Sequence, residues 1–338
     1  MTTMRPLIFM DPFPRSEAMV LTPDTEEALR GMGRVVTHFG SRAPDELVES
    51  VLDEVAIIIG QTAMDRSRLN RAVNLKAIIN VKANWEPNID YGDAQARGIH
   101  VLSAAPAMAP AVAEFCLGQA INLARGLVVA NGAFRSVTER YGIAGNGTAY
   151  SLFDAPVGLI GYGNLGRALT PLLRPFTQQI AVHDPFLSDG FLEGEGLEPM
   201  PLDDLLSTSR FVFLLAGATS ENEGFLTAEK LATMPDDASV ILASRAEVVD
   251  FDGLLGEAHS GRLRVAIDVF PEEPVPADDA ARQTDNVLFS AHLAGGMEAS
   301  YGRIRAMMVD DVRQILSGLP PMHLQRAEPR MAAMARSR

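Results

Sequence analysis

"GLIGYGNLGRAL", residues 158–169, decides how the rest of the chain is read. Gly161, Gly163 and Gly166 stand in the order G-x-G-x-x-G, directly after the apolar run "PVGLI" and at the start of a helical pattern, "NLGRALTPLLRPF". The first glycine permits a tight turn, the second lets main chain approach a pyrophosphate, and the third brings helix and strand together. The helix start then offers unpaired N–H groups and the positive end of its dipole to phosphates. A glycine turn that serves packing alone can show the same three residues. Here both flanks fit, and "AVHDPF" follows with Asp184 closing the next apolar run, 23 positions after Gly161, near the ~20-residue spacing of a ribose-binding acid. The stretch reads as a dinucleotide turn. A carboxylate at Asp184 accepts from ribose hydroxyls and repels a 2′-phosphate, and Pro185 and Phe186 bring no arginine to offset it. NAD is therefore favoured over NADP.

Outward from this turn, strand-like runs alternate with helical patterns. "PVGLIG" (156–161), "QIAVHD" (179–184), "FVFLLA" (211–216), "SVILAS" (239–244), "LRVAIDVF" (263–270) and "NVLFSA" (286–291) form one series. An earlier series holds "VAIIIG" (55–60), "LKAIINV" (75–81) and "IHVLSA" (99–104), with helices expected over 66–74 and 89–98. Such alternation indicates parallel sheets with helices on their faces. Between the series, "APAVAEFCLGQAINLARGLVVAN" (109–131) keeps an apolar period of three and four, which predicts one long helix joining two domains. A last helix is expected over 297–318. Folded back on the first domain, it makes that domain discontinuous. The tail from Leu324 lacks an apolar period and is read as mobile or covered by a partner.

A length of 338 residues suits two domains, and 47% hydrophobic against 21% charged residues suits globular cores. The net charge of −14 argues against nucleic acid as a partner. A single cysteine, Cys116, excludes an intrachain disulfide and a cysteine-based metal cluster, and fits a reducing compartment. The start "MTTMRPLIFMDPFP" has too short an apolar stretch for a signal peptide. No segment reaches the roughly 18 apolar residues of a membrane span. The expectation is a cytoplasmic protein with no membrane partner and no metal.

Ligands of doubly wound sheets sit beyond the carboxyl ends of the strands. Three polar groups fall there. "ILASRAEVVD" brings Arg245, "IDVFPEEPVP" brings Asp268 and Glu273 in a loop stiffened by Pro271, Pro274 and Pro276, and "LFSAHLAGG" brings His292. Each has a bland reading as a cap, a surface turn or a hinge. Together beside a nicotinamide they form a working set. Reduction of a 2-keto acid needs a proton and a positive neighbour for the developing oxyanion. Imidazole exchanges protons near neutral pH, a carboxylate partner fixes its tautomer, and arginine keeps its charge.

These stretches resemble the D-isomer-specific 2-hydroxyacid dehydrogenases over about residues 75–318. "PNIDYGDAQARGIHVLSAAPAMAPAVAEF", "GLIGYGNLGRAL" with "HDP", "ASRAEVVDFDGLLGEAHSGRLRVAIDVFPEEPVP" and "SAHLAG" carry the likeness. The resemblance implies two doubly wound parallel-sheet α/β domains. A Rossmann NAD domain (105–296) is inserted in a flavodoxin-like substrate domain (1–104 and 297–338). It implies Arg245 as the substrate arginine, His292 as acid/base and Glu273 as its partner. NAD contacts are implied for Gly161, Gly163, Asn164, Leu165, Gly166, Asp184, Pro185, Thr219 and Asp268, the last near the nicotinamide amide. The activity implied is NAD-dependent interconversion of a 2-keto acid and a D-2-hydroxy acid.

Two departures stand out. Family members hold the substrate carboxylate on the N–H groups of a glycine-containing loop, and the matching stretch here is "VKANWEPNID". Lys82, Ala83, Asn84 and Trp85 become the substrate-binding candidates, with Trp85 either a core residue or a pocket wall. Ala246 replaces the glycine after the substrate arginine. An NAD-sensing, protein-binding corepressor on the same fold and a dehydrogenase for an unusual substrate remain as alternatives. A homodimer through the NAD domain is expected, because the connection 132–153 is long for a simple loop. Closure of the two domains over the substrate is also expected.

Overall fold

Short aliphatic runs, buried on both sides, build two sheets in a computed structural model that describes residues 5–335. One compact unit takes residues up to Ala109, Thr219–Glu221 and the chain from Gly296; the other takes Pro110–Ala218 and Asn222–Gly295. The ends of the expected substrate domain, residues 1–4 and 336–338, lie outside the described residues.

The first unit contains β1 (Leu7–Asp11), β2 (Arg34–Thr37), β3 (Val55–Gly60), β4 (Ala77–Asn80) and β5 (His100–Ser103). The second contains β6 (Val157–Ile160), β7 (Ile180–His183), β8 (Glu198–Pro199), β9 (Phe211–Leu214), β10 (Ser239–Leu242), β11 (Arg264–Ile267) and β12 (Val287–Phe289), and β13 (Gln325–Arg326) returns to the first. The sheet orders are β13-β5-β4-β3-β1-β2 and β12-β11-β10-β9-β6-β7-β8. All pairings are parallel except β13 with β5. In the second unit the chain winds from β6 through β7 to β8, then crosses to β9 on the other side of β6. That reversal puts the switch point, where ligands of such folds collect, at the carboxyl end of β6.

Alternation along the strands explains the burial. Phe211 and Phe213 enter one core layer while Val212 and Leu214 enter the other. Ile57 and Ile59 face one side of the first sheet and Ile58 the opposite side. Period-two chains with apolar residues on both faces form parallel sheets covered by helices on each side.

Several expectations need correction. The helix predicted over 109–131 is two helices, Ala105–Arg125 and Leu127–Arg135, broken at Gly126 in the left-handed conformation (φ 60°). The helices predicted over 66–74 and 89–98 are shorter, Arg66–Arg71 and Tyr91–Ala96, each capped by an aspartate, Asp65 and Asp90. Helix Ala105–Arg125 is also long and apolar enough, by length and composition, to cross a membrane, contrary to the sequence expectation. Its apolar side lies in the core, with Val112, Ala113, Cys116, Ala120, Leu123 and Ala124 all buried. The tail, read as mobile or covered by a partner, instead forms regular structure on its own chain through residue 335. β13 pairs with β5, the helix Pro329–Met334 buries Ala332, and Ala335 bridges Thr219.

Candidate active site

The glycine turn has the geometry its sequence requires. Gly161 has φ 92°, and a Cβ there would stand 2.7 Å from the Ala216 nitrogen. A Cβ on Gly166 would meet the Tyr162 ring at 2.9 Å, so strand and helix pack through that glycine. A Cβ on Gly163 would meet nothing within 4 Å, which leaves its main chain open to a ligand. Gly163 caps the helix Asn164–Leu173, whose second residue Leu165 packs on the core. At the end of β7, Asp184 accepts from the Tyr162 N–H at 2.8 Å and the Phe186 N–H at 3.0 Å. Pro185 beside it is exposed. Acid and glycine turn are thereby fixed to each other, and the set fits a dinucleotide.

Beyond β11 and β12 lies a second constellation. The His292 Nδ1 is 2.7 Å from Glu273 Oε2, while Glu273 Oε1 accepts from the Phe270 N–H at 3.0 Å. With Nδ1 committed to the carboxylate, Nε2 is the ring nitrogen left to exchange a proton. His292 has φ 52°, a left-handed conformation that costs a non-glycine residue about 1–3 kcal/mol. Asp268, buried at the end of β11, holds it there. Its main-chain oxygen accepts from the His292 N–H at 2.7 Å. Its carboxylate accepts from the Leu293 N–H (2.9 Å), the Ala294 N–H (3.0 Å) and the Ser290 hydroxyl (2.5 Å). An asparagine at 268 would turn an N–H₂ toward one of these donors. Asp268→Asn should lower kcat by about 10²-fold, the scale of a small misplacement of a catalytic group. Weaker NADH binding with kcat intact, read by fluorescence titration and steady-state kinetics, would instead assign Asp268 to the nicotinamide amide alone.

Arg245 follows β10 and is half-buried. Burial holds its guanidinium below its ordinary pKa, and the charges of Glu247 and Glu273 act against that fall. Arginine stays charged under such a shift, so a cation is maintained within electrostatic reach of the Glu273–His292 pair. Its Nη1 donates to the Ser244 carbonyl at 2.6 Å. Cys116 takes no part as a nucleophile. Burial, with the Asp268 charge adding to it, pushes its thiol up to about 12.

The remaining candidates lie in the first unit. Thr219 is buried and bridges Ala335. Lys82 pairs with Glu86, which also pairs with Arg42 at 3.0 Å. Ala83 is exposed and Asn84 half-buried. Trp85 packs partly on the core, its ring edge-on to Tyr91 at 6.1 Å between centroids. Residues that sequence reasoning passed over are Ser290, which donates to Asp268, and Asn80, which ties the Lys82–Trp85 loop. A lone Ser or Asn at a strand end has no distinguishing spacing.

The NAD-binding-domain model of the D-isomer specific 2-hydroxyacid dehydrogenases matches residues 117–294, more than half of the chain. The chain belongs to this family. The matched domain is the family's NAD binding domain, and it contains the glycine turn. A crystal structure of a phosphoglycerate oxidoreductase from Rhizobium etli is 38% identical, with a TM-score of 0.86, over 96% of this chain and 99% of that one. A glyoxylate reductase of Korarchaeum cryptofilum is 27% identical over 88% of this chain and 93% of the relative. A D-3-phosphoglycerate dehydrogenase of Methanocaldococcus jannaschii is 26% identical over 88% of this chain. The chain spans 56% of that relative's length. The 2-hydroxyacid dehydrogenase stretch thus includes Arg245, Asp268, Glu273 and His292.

Proposed function

We propose that this protein interconverts a 2-keto acid and a D-2-hydroxy acid with NAD(H). The observation that carries the reading is the 2.7 Å pair of His292 Nδ1 and Glu273 Oε2, with the half-buried Arg245 within electrostatic reach of Glu273. When bound, NADH supplies the hydride. Gly161, Gly163, Asn164, Leu165 and Gly166 would hold its pyrophosphate, and Asp184 with Pro185 would receive its ribose. Arg245 binds the substrate carboxylate or polarises its carbonyl through the planar guanidinium fork. His292 gives the Nε2 proton to the carbonyl oxygen and takes it back in the oxidative direction. Glu273 orients the imidazole and offsets its positive charge. The alternative, an NAD-sensing, protein-binding corepressor on the same fold, can keep the same arginine, glutamate and histidine. It is tested by the same assay.

That assay follows NADH oxidation at 340 nm with 2-keto acids from glyoxylate to branched, aromatic, dicarboxylic and phosphorylated ones. Turnover on at least one is expected. NADH binding without turnover across the panel would overturn the reading in favour of a sensor.

The NAD domain also carries an apolar surface. Helix Leu127–Arg135 buries none of its side chains, and Phe134 (65% exposed) and Ile143 (90%) lie along the connection to β6. Contiguous exposed apolar residues mark association sites, and we assign this one to a homodimer. Sedimentation should give a dimer that Phe134→Asp converts to monomer. A wild type that is monomeric at micromolar concentration would contradict the assignment.

A further inference from the structure

The loop after β4 lacks the glycines expected in this family, yet its main chain is closely fastened, and one side chain does most of the fastening. Asn80 ends β4 and is 2% exposed. Its Oδ1 accepts from the Lys82 N–H at 2.8 Å and from Gln61 Nε2 at 2.5 Å, and its Nδ2 donates to the Asn84 carbonyl at 2.8 Å. Gln61 is itself anchored by its main-chain N–H to the Asp11 carbonyl at the end of β1. From β5, the Ser103 hydroxyl donates to the Lys82 carbonyl at 3.1 Å, and the Tyr91 hydroxyl donates to the Glu86 carbonyl at 2.6 Å.

The consequence lies in what these bonds leave over. They engage the N–H of Lys82 and the carbonyls of Lys82, Asn84 and Glu86. Among the described residues, the consecutive N–H groups of Ala83, Asn84 and Trp85 make no hydrogen bond within the protein. Main-chain donors take a partner when they can, and successive N–H groups in a bend suit an anion. A glycine loop reaches such a bend through its own backbone freedom. Lys82, Ala83 and Trp85 lack that freedom. A side chain that accepts at one atom and donates at another must impose the bend instead. A carboxamide does both; the isosteric carboxylate only accepts.

We propose that Asn80 is the positioning residue of this loop, shaping the Ala83–Trp85 main chain that receives the carboxylate of the 2-keto acid. The proposal rests on the function given above. Asn80 acts through the loop and does not touch substrate.

Asn80→Asp keeps the volume and the acceptor for Lys82 and Gln61 but sets an oxygen against the Asn84 carbonyl. The expected result is a KM for the 2-keto acid raised about 10- to 100-fold, the range for spoiling one buried hydrogen bond. With kcat and NADH affinity close to wild type and Tm lowered by only a few degrees, the cost of that one bond, the change would mark lost ground-state binding and not a damaged fold. Calorimetric binding of oxamate, a non-reducible mimic, to the NADH-loaded protein should weaken by the same factor. If Asn80→Asp does not fold, Asn80→Ser, too short to reach Asn84, is read in its place. An unchanged KM and oxamate affinity, or a fall in kcat and a large fall in Tm together with the rise in KM, would overturn the role of Asn80. A wild type that neither reduces any 2-keto acid nor binds oxamate would overturn the underlying function instead.

Discussion

His292→Ala should lose about 10²–10⁴-fold in kcat, the range supplied by a positioned general acid, while binding NADH as wild type does. The expectation follows from the site's geometry. Glu273 Oε2 takes Nδ1 at 2.7 Å, Glu273 is held in turn by the Phe270 N–H, and the ring stands on a left-handed residue fixed through Asp268. Alanine removes the proton donor and leaves that framework in place. The glycine turn and Asp184 lie on other loops, so cofactor affinity serves as an internal check on folding. Turnover equal to wild type would remove His292 from the role of acid/base.

The second large effect concerns charge. Arg245→Gln should lower kcat/KM by about 10²–10³-fold, the scale seen when one donor to a developing oxyanion is removed. Arg245 is half-buried, and desolvation holds its guanidinium below its ordinary pKa, so water screens it less than a fully exposed arginine. A cation in such surroundings acts on a carboxylate or oxyanion more strongly than one in solvent. Glutamine keeps some donors and loses the charge. Arg245→Lys should recover little, since a point charge cannot reproduce the two parallel bonds of the fork. Full activity of either variant would place substrate recognition elsewhere.

Much of this site is legible in the sequence because its main parts sit at fixed positions relative to strands. Gly161, Gly163 and Gly166 follow an apolar run, Asp184 closes the next, and Arg245, Asp268 and His292 each follow another strand. The strand runs are also plain, since burial on both faces leaves continuous Val, Ile, Leu and Phe. Other features leave no such mark. β8 and β13 have two residues each, too few for a period to be seen. The break at Gly126 lies inside "ARGLVVAN", where apolar residues continue on both sides. Asp268 clamps the His292 turn mainly through main-chain N–H groups, and Asn80 braces its loop through one main-chain N–H and one main-chain carbonyl. Main-chain donors and acceptors are common to almost every residue, so their partners appear only once the chain is folded. The lone tryptophan illustrates the point: Trp85 meets the core through Tyr91, a contact no spacing announces.

The central claim is best tested by the product. Wild-type protein, NADH and the best 2-keto acid of the panel other than glyoxylate, whose product glycolate has no stereocentre, should be run to completion and the hydroxy acid resolved on a chiral column. The D isomer, in an amount equal to the NADH consumed, is the expected result. The L isomer, or NADH loss without hydroxy acid, would contradict the account.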